Sequence, residues 1–294
     1  MTWLSGADLH HWRRQQLADW PGPANGLDWL LDLEGGLSWR ELQSSHLHPE
    51  RGLELRCGLD HLAGLWKRHC IEQVPLQHLV GRCPWRDLEL AVSKDVLIPR
   101  QETELLVELA CDLPLASGEL PRRWADLGTG SGCLALALAR QWPASEGWAV
   151  DRSPEALAVA RANGEAQNEP MASLHWCVGD WWQPLTPLAG TLELVVSNPP
   201  YIPSAVVDVL DPGVRDHEPR LALDGGSDGL DSLRRIIKSA PRMLAPGGWL
   251  LVEHHHDQSQ AVLALMQQAD LVDCRSASDL EGNARFALAR QACS

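Results

Sequence analysis

From Trp124 to the end of the chain, segments typical of strands alternate with segments typical of helices. RRWADL and GWAVD are each followed by a longer segment with helical periodicity, CLALALAR and SPEALAVARAN respectively. Strands that alternate with helices of this length form a parallel sheet, because each helix carries the chain back to the starting edge. The last two strand-like runs, LVDCRSA and ARFALAR, lack an intervening helix. The sequence therefore predicts an α/β fold with a doubly wound, mostly parallel sheet and a terminal antiparallel hairpin.

The first part of the chain has a different pattern, which predicts a separate domain. Residues 1–80 carry apolar side chains at helical spacing, for example Leu27 and Leu30. Ser38 followed by Glu41 has the form of a capping box, a common helix start. No chemistry is visible in this region. We predict a small helical domain that recognises the substrate.

Residues 81–104 are predicted to form a linker that contains a short hairpin. Side chains alternate over 88–92 as in a strand, and a second strand-like run, the apolar residues 96–98, follows a Ser-Lys-Asp turn. Helical periodicity resumes directly afterwards, and the strands of the predicted sheet follow. We assign residues 105–294 to the larger domain that holds the sheet.

The bulk properties of the 294-residue chain exclude several classes of protein. A net charge of −14 argues against a non-specific grip on a phosphate backbone, which needs a basic face. The eight cysteines form no C-x-x-C pair, which predicts reduced thiols in the cytoplasm. The start of the chain lacks the apolar core of a signal peptide. The longest apolar run, residues 133–139, is too short to cross a bilayer, so we expect a cytoplasmic protein without a membrane segment.

A glycine-rich loop connects RRWADL to CLALALAR. Its pattern is D-x-G-x-G-x-G, with Asp126, Gly128, Thr129, Gly130, Ser131 and Gly132 as candidate ligand-binding residues. Glycines at such a turn let a ligand approach the backbone and the start of the helix. Cys133 replaces the third glycine of the dinucleotide fingerprint, and no Gly-Lys-Ser/Thr follows as in a P-loop. The acid that opens the loop favours a ligand with an ammonium or sulfonium group over a pyrophosphate, which it would repel.

Two further acids follow the next two predicted strands. Asp151 ends GWAVD, where an acid commonly accepts hydrogen bonds from ribose hydroxyls. Asp180 follows SLHWCVG, where it can accept from an adenine amino group, and Trp181 beside it offers a stacking face. Each acid alone is more often a capping or loop residue. Three acids at the ends of three successive strands indicate a ligand site at the carboxyl edge of the sheet.

The fourth predicted strand ends in Asn198-Pro199-Pro200-Tyr201. Two prolines cannot continue a strand, since each lacks an N–H and has a fixed φ. One interpretation is a simple stop signal. The other is a rigid corner that holds an amide, backbone carbonyls and an aromatic ring in one arrangement. Tyr201 is the only tyrosine of the chain, which slightly favours the second interpretation.

The glycine loop, Ala-Val-Asp and Asn-Pro-Pro-Tyr at these separations resemble an S-adenosylmethionine-dependent methyltransferase with the Rossmann-like class I fold. Asn-Pro-Pro-Tyr marks members that methylate planar nitrogens. With PLQHLVG, VLIPRQETELL, ALDGGSDGL, LVEH and DLEGNARFAL, residues 74–290 resemble the HemK-type protein-(glutamine-N5) methyltransferases. These act on the Gly-Gly-Gln loop of peptide chain release factors, and IPRxxTE favours that branch over the ribosomal-protein enzyme. His78, Gln101 and Gly164 stand where tyrosine, proline and alanine are usual.

The resemblance implies S-adenosylmethionine as cofactor and a release factor as partner. The implied cofactor-binding residues are those of the glycine loop together with Asp151, Asp180, Trp181 and Asn198. The implied catalytic and substrate-binding residues are Asn198, Pro199, Pro200 and Tyr201, with Arg100 and Glu102 also facing the substrate. A simpler interpretation of Arg100, Glu102, Thr103 and Glu104 is a capping and ion-pair cluster before a helix.

The chemistry expected of Asn-Pro-Pro-Tyr follows from the nature of a carboxamide. Its nitrogen is a poor nucleophile, because the lone pair is delocalised into the carbonyl. If the Asn198 side-chain oxygen accepts one N–H and the Pro199 carbonyl accepts the other, the amide is held and its nitrogen becomes more electron-rich. Tyr201 can pack against the amide plane. Catalysis then consists chiefly of positioning for an in-line displacement.

Two other functions are weighed against this hypothesis. A methyltransferase acting on a nucleic-acid base or a ribosomal-protein glutamine shares the motifs, but the charge of −14 and the lack of a basic module disfavour direct nucleic-acid binding. A non-catalytic binding protein would be expected to carry a damaged loop or corner. We expect no metal, since consecutive histidines 254–256 after Glu253 point to opposite faces of a strand. We expect a monomer.

Overall fold

The computed structural model describes residues 2–115, 118, 120–167 and 171–293, which form two compact units. One unit runs to Gly81 and also includes Pro212–His217, and the other comprises Arg82–Asp211 and the chain from Glu218 onward. Residues 82–104, most of the predicted linker, lie within the second unit. The outermost residues of the predicted domains, 1 and 294, lie outside the described residues.

The first unit combines helices with a small two-stranded sheet. Its elements are β1 Thr2–Ser5, α1 Gly6–Asp19, α2 Ala24–Leu33, α3 Trp39–Leu47, β2 Gly52–Leu55, α4 Leu59–Glu72 and α5 Leu76–Val80. Leu27 and Leu30 are buried with Trp66 in one core, as their spacing predicted. Ser38 and Glu41 form the predicted capping box. The antiparallel pair β1–β2 was not predicted, because four-residue strands are too short for alternation to stand out.

A hairpin opens the second unit, but its strands are not the expected ones. β3 Arg82–Trp85 pairs with β4 Leu88–Ala91 through a turn at Arg86, whose φ is 53°. The prediction that residues 96–98 pair with 88–92 is wrong. Val96 and Ile98 are buried in a small cluster without strand pairing, whereas Leu97 between them is half-buried. Their alternation reflects burial of every second side chain and not a ladder of hydrogen bonds.

Seven strands form the main sheet, in the order β10-β11-β9-β8-β5-β6-β7. They are β5 Arg123–Leu127, β6 Glu146–Asp151, β7 Ser173–Val178, β8 Leu192–Ser197, β9 Leu244–Glu253, β10 Val272–Ser278 and β11 Ala284–Arg290. Strands β5 to β9 pair in parallel, and β11 pairs antiparallel with both β9 and β10. The predicted doubly wound sheet with its terminal antiparallel hairpin is confirmed.

Helices cover both faces of this sheet. In the second unit they are α6 Glu104–Cys111, α7 Cys133–Gln141, α8 Pro154–Glu165, α9 Ser204–Val207, α11 Arg220–Leu223, α12 Asp231–Met243 and α13 Ser259–Gln268, with 3₁₀ turns at Gln183–Leu188 and His256–Gln258. The short α10, Pro212–Arg215, belongs to the first unit. Alternate residues of β8 contact opposite layers: Val196 packs with α6 and α7, whereas Val195 packs with α12 and α13. Among the described residues, no helix has the length and apolar character needed to span a bilayer.

The strand order places the two sequence motifs side by side. From β5 the chain proceeds outward through β6 and β7 on one side, and β8 and β9 lie on the other. Open α/β sheets bind ligands at such a reversal, at the carboxyl ends of the strands. The glycine loop leaves β5 and Asn-Pro-Pro-Tyr leaves β8, which are direct neighbours. The sheet thus brings the loop and the corner to the same edge.

Candidate active site

The glycine loop after β5 needs glycine at three positions. Gly128, Gly130 and Gly132 have φ values of 78°, 55° and 86°, in the left-handed region that other residues rarely adopt. Space is limited as well, since a Cβ on Gly128 would lie 3.3 Å from the Trp181 ring. α7 begins directly after Gly132, so the loop and the start of this helix form one wall of a cavity.

Asp126 supports this loop from inside the protein. Its side chain is fully buried, and Oδ2 accepts a hydrogen bond of 2.6 Å from Thr129 Oγ1. Its other oxygen, Oδ1, has no hydrogen-bond partner among the described residues. Burial raises the pKa of Asp126 to about 7. Asp126 is not part of the cavity lining, so direct contact between its carboxyl group and a ligand stays a prediction.

Asp151, at the end of β6, joins the loop to the next helix. Its Oδ2 accepts from the Gly130 N–H at 2.8 Å, and its Oδ1 accepts from the Ser153 N–H at 2.9 Å. Burial is the main cause that raises the pKa of Asp151. Each carboxylate oxygen has a second lone pair, so Asp151 can still accept hydrogen bonds from ligand hydroxyls. It lines the cavity, as its predicted role requires.

Asp180 and Trp181, after β7, line the same cavity. Asp180 forms an ion pair with Arg235 of α12, a contact that the sequence did not suggest. Trp181 has a φ of 52°, which is uncommon for a large side chain. This backbone conformation brings the indole against the loop at Gly128. Trp181 thus lies at the cavity beside the glycine loop, and stacking of its ring on a ligand stays a prediction.

Asn163 of α8 ties the loop to the hairpin. Its Nδ2 donates to the Ser131 carbonyl at 2.9 Å and to the Ala91 carbonyl at 3.0 Å, and its Oδ1 accepts from the Ala91 N–H at 2.7 Å. Asn163 is 2% exposed, and its hydrogen bond to the Ser131 carbonyl is buried. Asn163 was not predicted, although a lone amide within an apolar helical run is a usable signal.

The Asn-Pro-Pro-Tyr corner is held by a buried network of hydrogen bonds. Asn198 Nδ2 donates to Thr103 Oγ1 at 3.0 Å, and Thr103 Oγ1 donates to Glu253 Oε2 at 2.8 Å. The Tyr201 hydroxyl donates to the other oxygen of Glu253 at 3.2 Å. Burial of Glu253 at the end of β9 raises its pKa to about 7. Burial also raises the pKa of Tyr201, which therefore keeps its proton.

This network decides between the interpretations of two residues. Thr103 precedes α6, but its side chain makes no capping hydrogen bond, so the capping interpretation fails for Thr103. Asn198 lines the cavity with Pro200, whereas Pro199 is buried and Tyr201 turns its hydroxyl toward Glu253. A stop signal alone would not need such contacts. Packing of the Tyr201 ring against a substrate amide stays a prediction.

The turn at residues 224–229, Asp-Gly-Gly-Ser-Asp-Gly, packs directly against the Asn-Pro-Pro-Tyr corner. A Cβ on Gly225 would lie 2.8 Å from the Pro200 carbonyl oxygen, which leaves no space for a side chain. Gly225 N–H donates to the Ile202 carbonyl at 2.8 Å. Gln258 Nε2 donates to the Tyr201 carbonyl at 2.9 Å. The backbone of the corner is therefore fixed from two sides, by this turn and by the segment after β9.

Arg100 and Glu102, both predicted to face the substrate, have different environments. Arg100 lines the cavity and forms an ion pair of 2.6 Å with Glu218. Glu218 is buried and also accepts from the Ile98 N–H at 3.0 Å, so it anchors the segment before α6. Glu102 is exposed and is not part of the cavity lining. Glu218 was not predicted, because its partners lie about 120 residues earlier in the chain.

The cavity between these elements has a volume of about 320 Å³. This volume lies at the lower end of the range of small-molecule sites, ~300–1,000 Å³. Of the predicted cofactor residues, the lining includes Gly128, Thr129, Gly130, Ser131, Asp151, Asp180, Trp181 and Asn198. Gly132 and Asp126 support the loop without belonging to the lining. In the described part of the chain, no group of three or more His, Cys, Asp or Glu side chains could hold a metal ion.

Comparisons with known proteins find a matching family and relatives of similar sequence. Residues 102–210 match the family described as Methyltransferase small domain. The Release factor glutamine methyltransferase of Prochlorococcus marinus is 50% identical over 287 residues, which are 97% of this chain and 97% of that protein. The protein of the same name from Thermosynechococcus vestitus is 42% identical over 295 residues, 98% of this chain and 99% of that protein.

A solved structure extends the comparison to the fold. The catalytic domain of hMettl16, in complex with MAT2A 3′UTR hairpin 6, matches with a TM-score of 0.56 and 15% identity, covering 93% of this chain and 94% of that chain. At this identity the likeness concerns the fold alone. The two relatives above, by contrast, share far more sequence than a common fold requires.

Proposed function

The chain belongs to the release factor glutamine methyltransferase family, and from this premise we propose that it methylates the side-chain nitrogen N5 of a release factor glutamine. The glutamine is that of the Gly-Gly-Gln loop of peptide chain release factors. The methyl donor is S-adenosylmethionine. The observation that carries the proposal is the position of Asn198, at the wall of the cavity next to the glycine loop.

The residues of the cavity fit this cofactor. Gly128 and Gly130 have left-handed φ values and leave the loop without side chains where a nucleoside and its amino-acid tail would lie. Asp151 can accept from ribose hydroxyls, and Asp180 with Trp181 can hold the base. When bound, S-adenosylmethionine supplies a methyl group made electrophilic by a sulfonium. The acidic lining suits this positive charge.

Asn198 is oriented for its proposed task. Its NH₂ group is engaged by Thr103, so its Oδ1 is the atom left to accept a hydrogen bond from the glutamine amide. Pro199 can offer only its carbonyl to the second amide hydrogen, because proline has no N–H. The glutamine nitrogen uses its electron pair for the new N–C bond while the S–C pair remains on sulfur, and it gives up one proton to solvent. The chain contributes orientation and exclusion of water, worth up to about 7–11 kcal/mol in ideal cases.

The further parts of the proposal concern partners and location. The protein acts in the cytoplasm, in agreement with its eight free cysteines. It binds a protein substrate and works as a monomer. It does not bind nucleic acid directly, in agreement with its net charge of −14.

The proposal predicts which atom of a release factor gains mass. Incubation of the protein with S-adenosylmethionine and a release factor, followed by peptide mass mapping, should show one added methyl group on the glutamine of Gly-Gly-Gln. A release factor with glutamate at that position is the matched control and should gain none. Methyl transfer to RNA and not to the release factor would contradict the proposal.

Replacement of Asn198 tests its role in the chemistry. Asn198→Ala should bind S-adenosylmethionine with nearly unchanged Kd but lower kcat about 10³-fold or more, because the glutamine amide loses its acceptor. Asn25→Ala, at an exposed position of the first unit, is the control and should behave as the unchanged protein. Near-normal turnover by Asn198→Ala would disprove the assigned role.

A further inference from the structure

The orientation of the Asn198 side chain is decided by residues outside the Asn-Pro-Pro-Tyr motif. We propose that Thr103 and Glu253 are positioning residues that fix which end of the Asn198 amide faces the incoming glutamine. Neither residue touches the reacting atoms in this scheme; both act through Asn198. The inference rests on the proposed function, because it concerns the orientation of the substrate amide.

The contacts form a chain that ends on one carboxylate. Asn198 Nδ2 lies 3.0 Å from Thr103 Oγ1, and Thr103 Oγ1 lies 2.8 Å from Glu253 Oε2. Thr103 and Glu253 are 2% and 1% exposed, so their hydrogen bond is shielded from bulk solvent. Tyr201 donates to the remaining oxygen of Glu253. Both oxygens of the carboxylate therefore accept from side chains of the site.

The number of available hydrogen atoms sets the direction of each hydrogen bond between Asn198, Thr103 and Glu253. An ionised Glu253 has no hydrogen to give and can only accept. Thr103 has one hydroxyl hydrogen, which it donates to Glu253, so toward Asn198 it can act only as an acceptor. Asn198 must then present its NH₂ group to Thr103. Its Oδ1 is left free for an N–H of the substrate, which is the orientation that methylation of an amide nitrogen needs.

Protonation of Glu253 would reverse this order. A neutral Glu253 must donate from one of its oxygens, and a bond to Thr103 lets that hydroxyl donate to Asn198 instead. The Asn198 amide would then rotate and direct its NH₂ group at the NH₂ group of the glutamine, where two donors meet. Methyl transfer should therefore decline at acidic pH, where Glu253 takes up its proton.

Several charged groups face Glu253 and set its titration. Arg285 on β11 favours the carboxylate, whereas Glu102 before α6 opposes it. Cys133 on α7 stays neutral, because burial raises the pKa of its thiol to about 12. Tyr201 contributes a neutral hydroxyl. Burial outweighs the favourable contacts, which raises the pKa of Glu253 to about 7.

Two substitutions of Thr103 separate its hydroxyl group from its methyl group. Thr103→Val keeps the shape but removes the hydroxyl, and we expect kcat to fall about 10²-fold with little change in KM for the release factor or Kd for the cofactor. Thr103→Ser keeps the hydroxyl and should retain most of kcat. Wild-type kcat in Thr103→Val would overturn the proposal, as would equal losses in both variants. If Thr103→Val does not fold, Thr103→Ala takes its place.

The pH profile of kcat tests Glu253 separately. Wild-type kcat should fall as the pH is lowered below about 7. Glu253→Gln should have a lower kcat at every pH, and its pH profile should lack this acidic limb. Asp126 also has its pKa raised to about 7, so the variant is needed to assign the limb. A limb that persists unchanged in Glu253→Gln belongs to another group and would overturn the role of Glu253.

A readout without substrate distinguishes failure of this inference from failure of the proposed function. In ¹⁵N NMR spectra, the side-chain NH₂ signal of Asn198, identified by its loss in Asn198→Asp, should shift in Thr103→Val and change little in Thr103→Ser. An unshifted signal in Thr103→Val would refute the positioning contact even if release factors are methylated. A shifted signal would support the contact even if the protein methylates a different amide.

Discussion

At Gly225 the protein has no space for even one methyl group. Its φ is not in the left-handed region, but an added Cβ would lie 2.8 Å from both the Pro200 carbonyl oxygen and the Tyr201 Cα. Backbone atoms cannot rotate away as a side chain can. Gly225→Ala must therefore shift the corner that carries Asn198.

We expect Gly225→Ala to lose about 1–3 kcal/mol of unfolding free energy, as overpacked sites do, and to lower kcat more than cofactor affinity. Urea unfolding and methyl-transfer assays measure the two effects. Gly64→Ala is the control, since its Cβ would meet nothing within 4 Å and lies inside α4. That variant should gain about 0.5–1 kcal/mol. Equal behaviour of the two variants would show that the corner tolerates movement.

The role of a single residue could be predicted where the residues next to it in the sequence form a recognisable motif. Asn198 stood out because two prolines and the only tyrosine follow it. Glu253 was noted within the LVEH segment and weighed as a metal ligand, but its contact with Thr103 was not predicted, because Thr103 lies 150 positions earlier in the chain. Buried hydrogen-bond networks of this kind depend on the fold, so their members look like isolated polar residues until the strands are placed.

On the scale of elements, the side-chain amide of Asn163 in α8 connects the hairpin β3–β4 with the glycine loop. Asn163→Ala would leave the Ser131 carbonyl buried without this partner and would remove the acceptor of the Ala91 N–H. We expect a loss of about 2–4 kcal/mol of unfolding free energy and roughly tenfold weaker binding of S-adenosylmethionine. Thermal unfolding and calorimetry measure these changes. Unchanged cofactor affinity in a destabilised variant would mean that the loop keeps its shape without Asn163.

The elements of the large sheet were predictable because strands and helices of different periodicity alternate there. The order of the strands was not predicted. The alternation of strands and helices was enough to predict a parallel sheet, and the lack of a helix between the last two strands predicted the antiparallel hairpin β10–β11. The pairing of the first hairpin was predicted wrongly, because Val96 and Ile98 are buried in a cluster without strand pairing. Three short helices between β8 and α12 were also missed, because four residues carry no periodicity.

For the whole molecule, two fully buried carboxyl groups make stability depend on pH in an unusual direction. The folded-state pKa is about 7 for both Asp126 and Glu253, well above their ordinary values. The folded protein therefore binds these protons more tightly than the unfolded chain, so stability falls as pH rises from about 4 to about 7. The carboxylate form of Glu253, which our proposal requires for methyl transfer, is thus the less stable form of the folded protein.

We expect the free energy of unfolding, measured in urea at pH 5, 6, 7 and 8, to decrease through this interval and then level off. Asp126→Asn should flatten the dependence, because the amide does not titrate. Asp228, whose pKa is lowered to about 2 by Arg234, acts only at more acidic pH and should not contribute. Burial lowers the pKa of His254, which has the opposite effect on stability, so the comparison of variants is decisive: an unchanged pH dependence in Asp126→Asn would contradict this account.

The single tyrosine of the chain gives the protein a built-in reporter. Tyr201 is the only tyrosine of the chain, and its hydroxyl donates a hydrogen bond to Glu253. Growth with isotopically labelled tyrosine would therefore place a single label in the protein, within the Asn-Pro-Pro-Tyr corner. The chemical shift of this tyrosine would depend on the charge of the Glu253 carboxylate, and no other tyrosine signal would overlap it. Titrations with cofactor or with a release factor could then be followed on one line of a spectrum, without introducing any foreign probe.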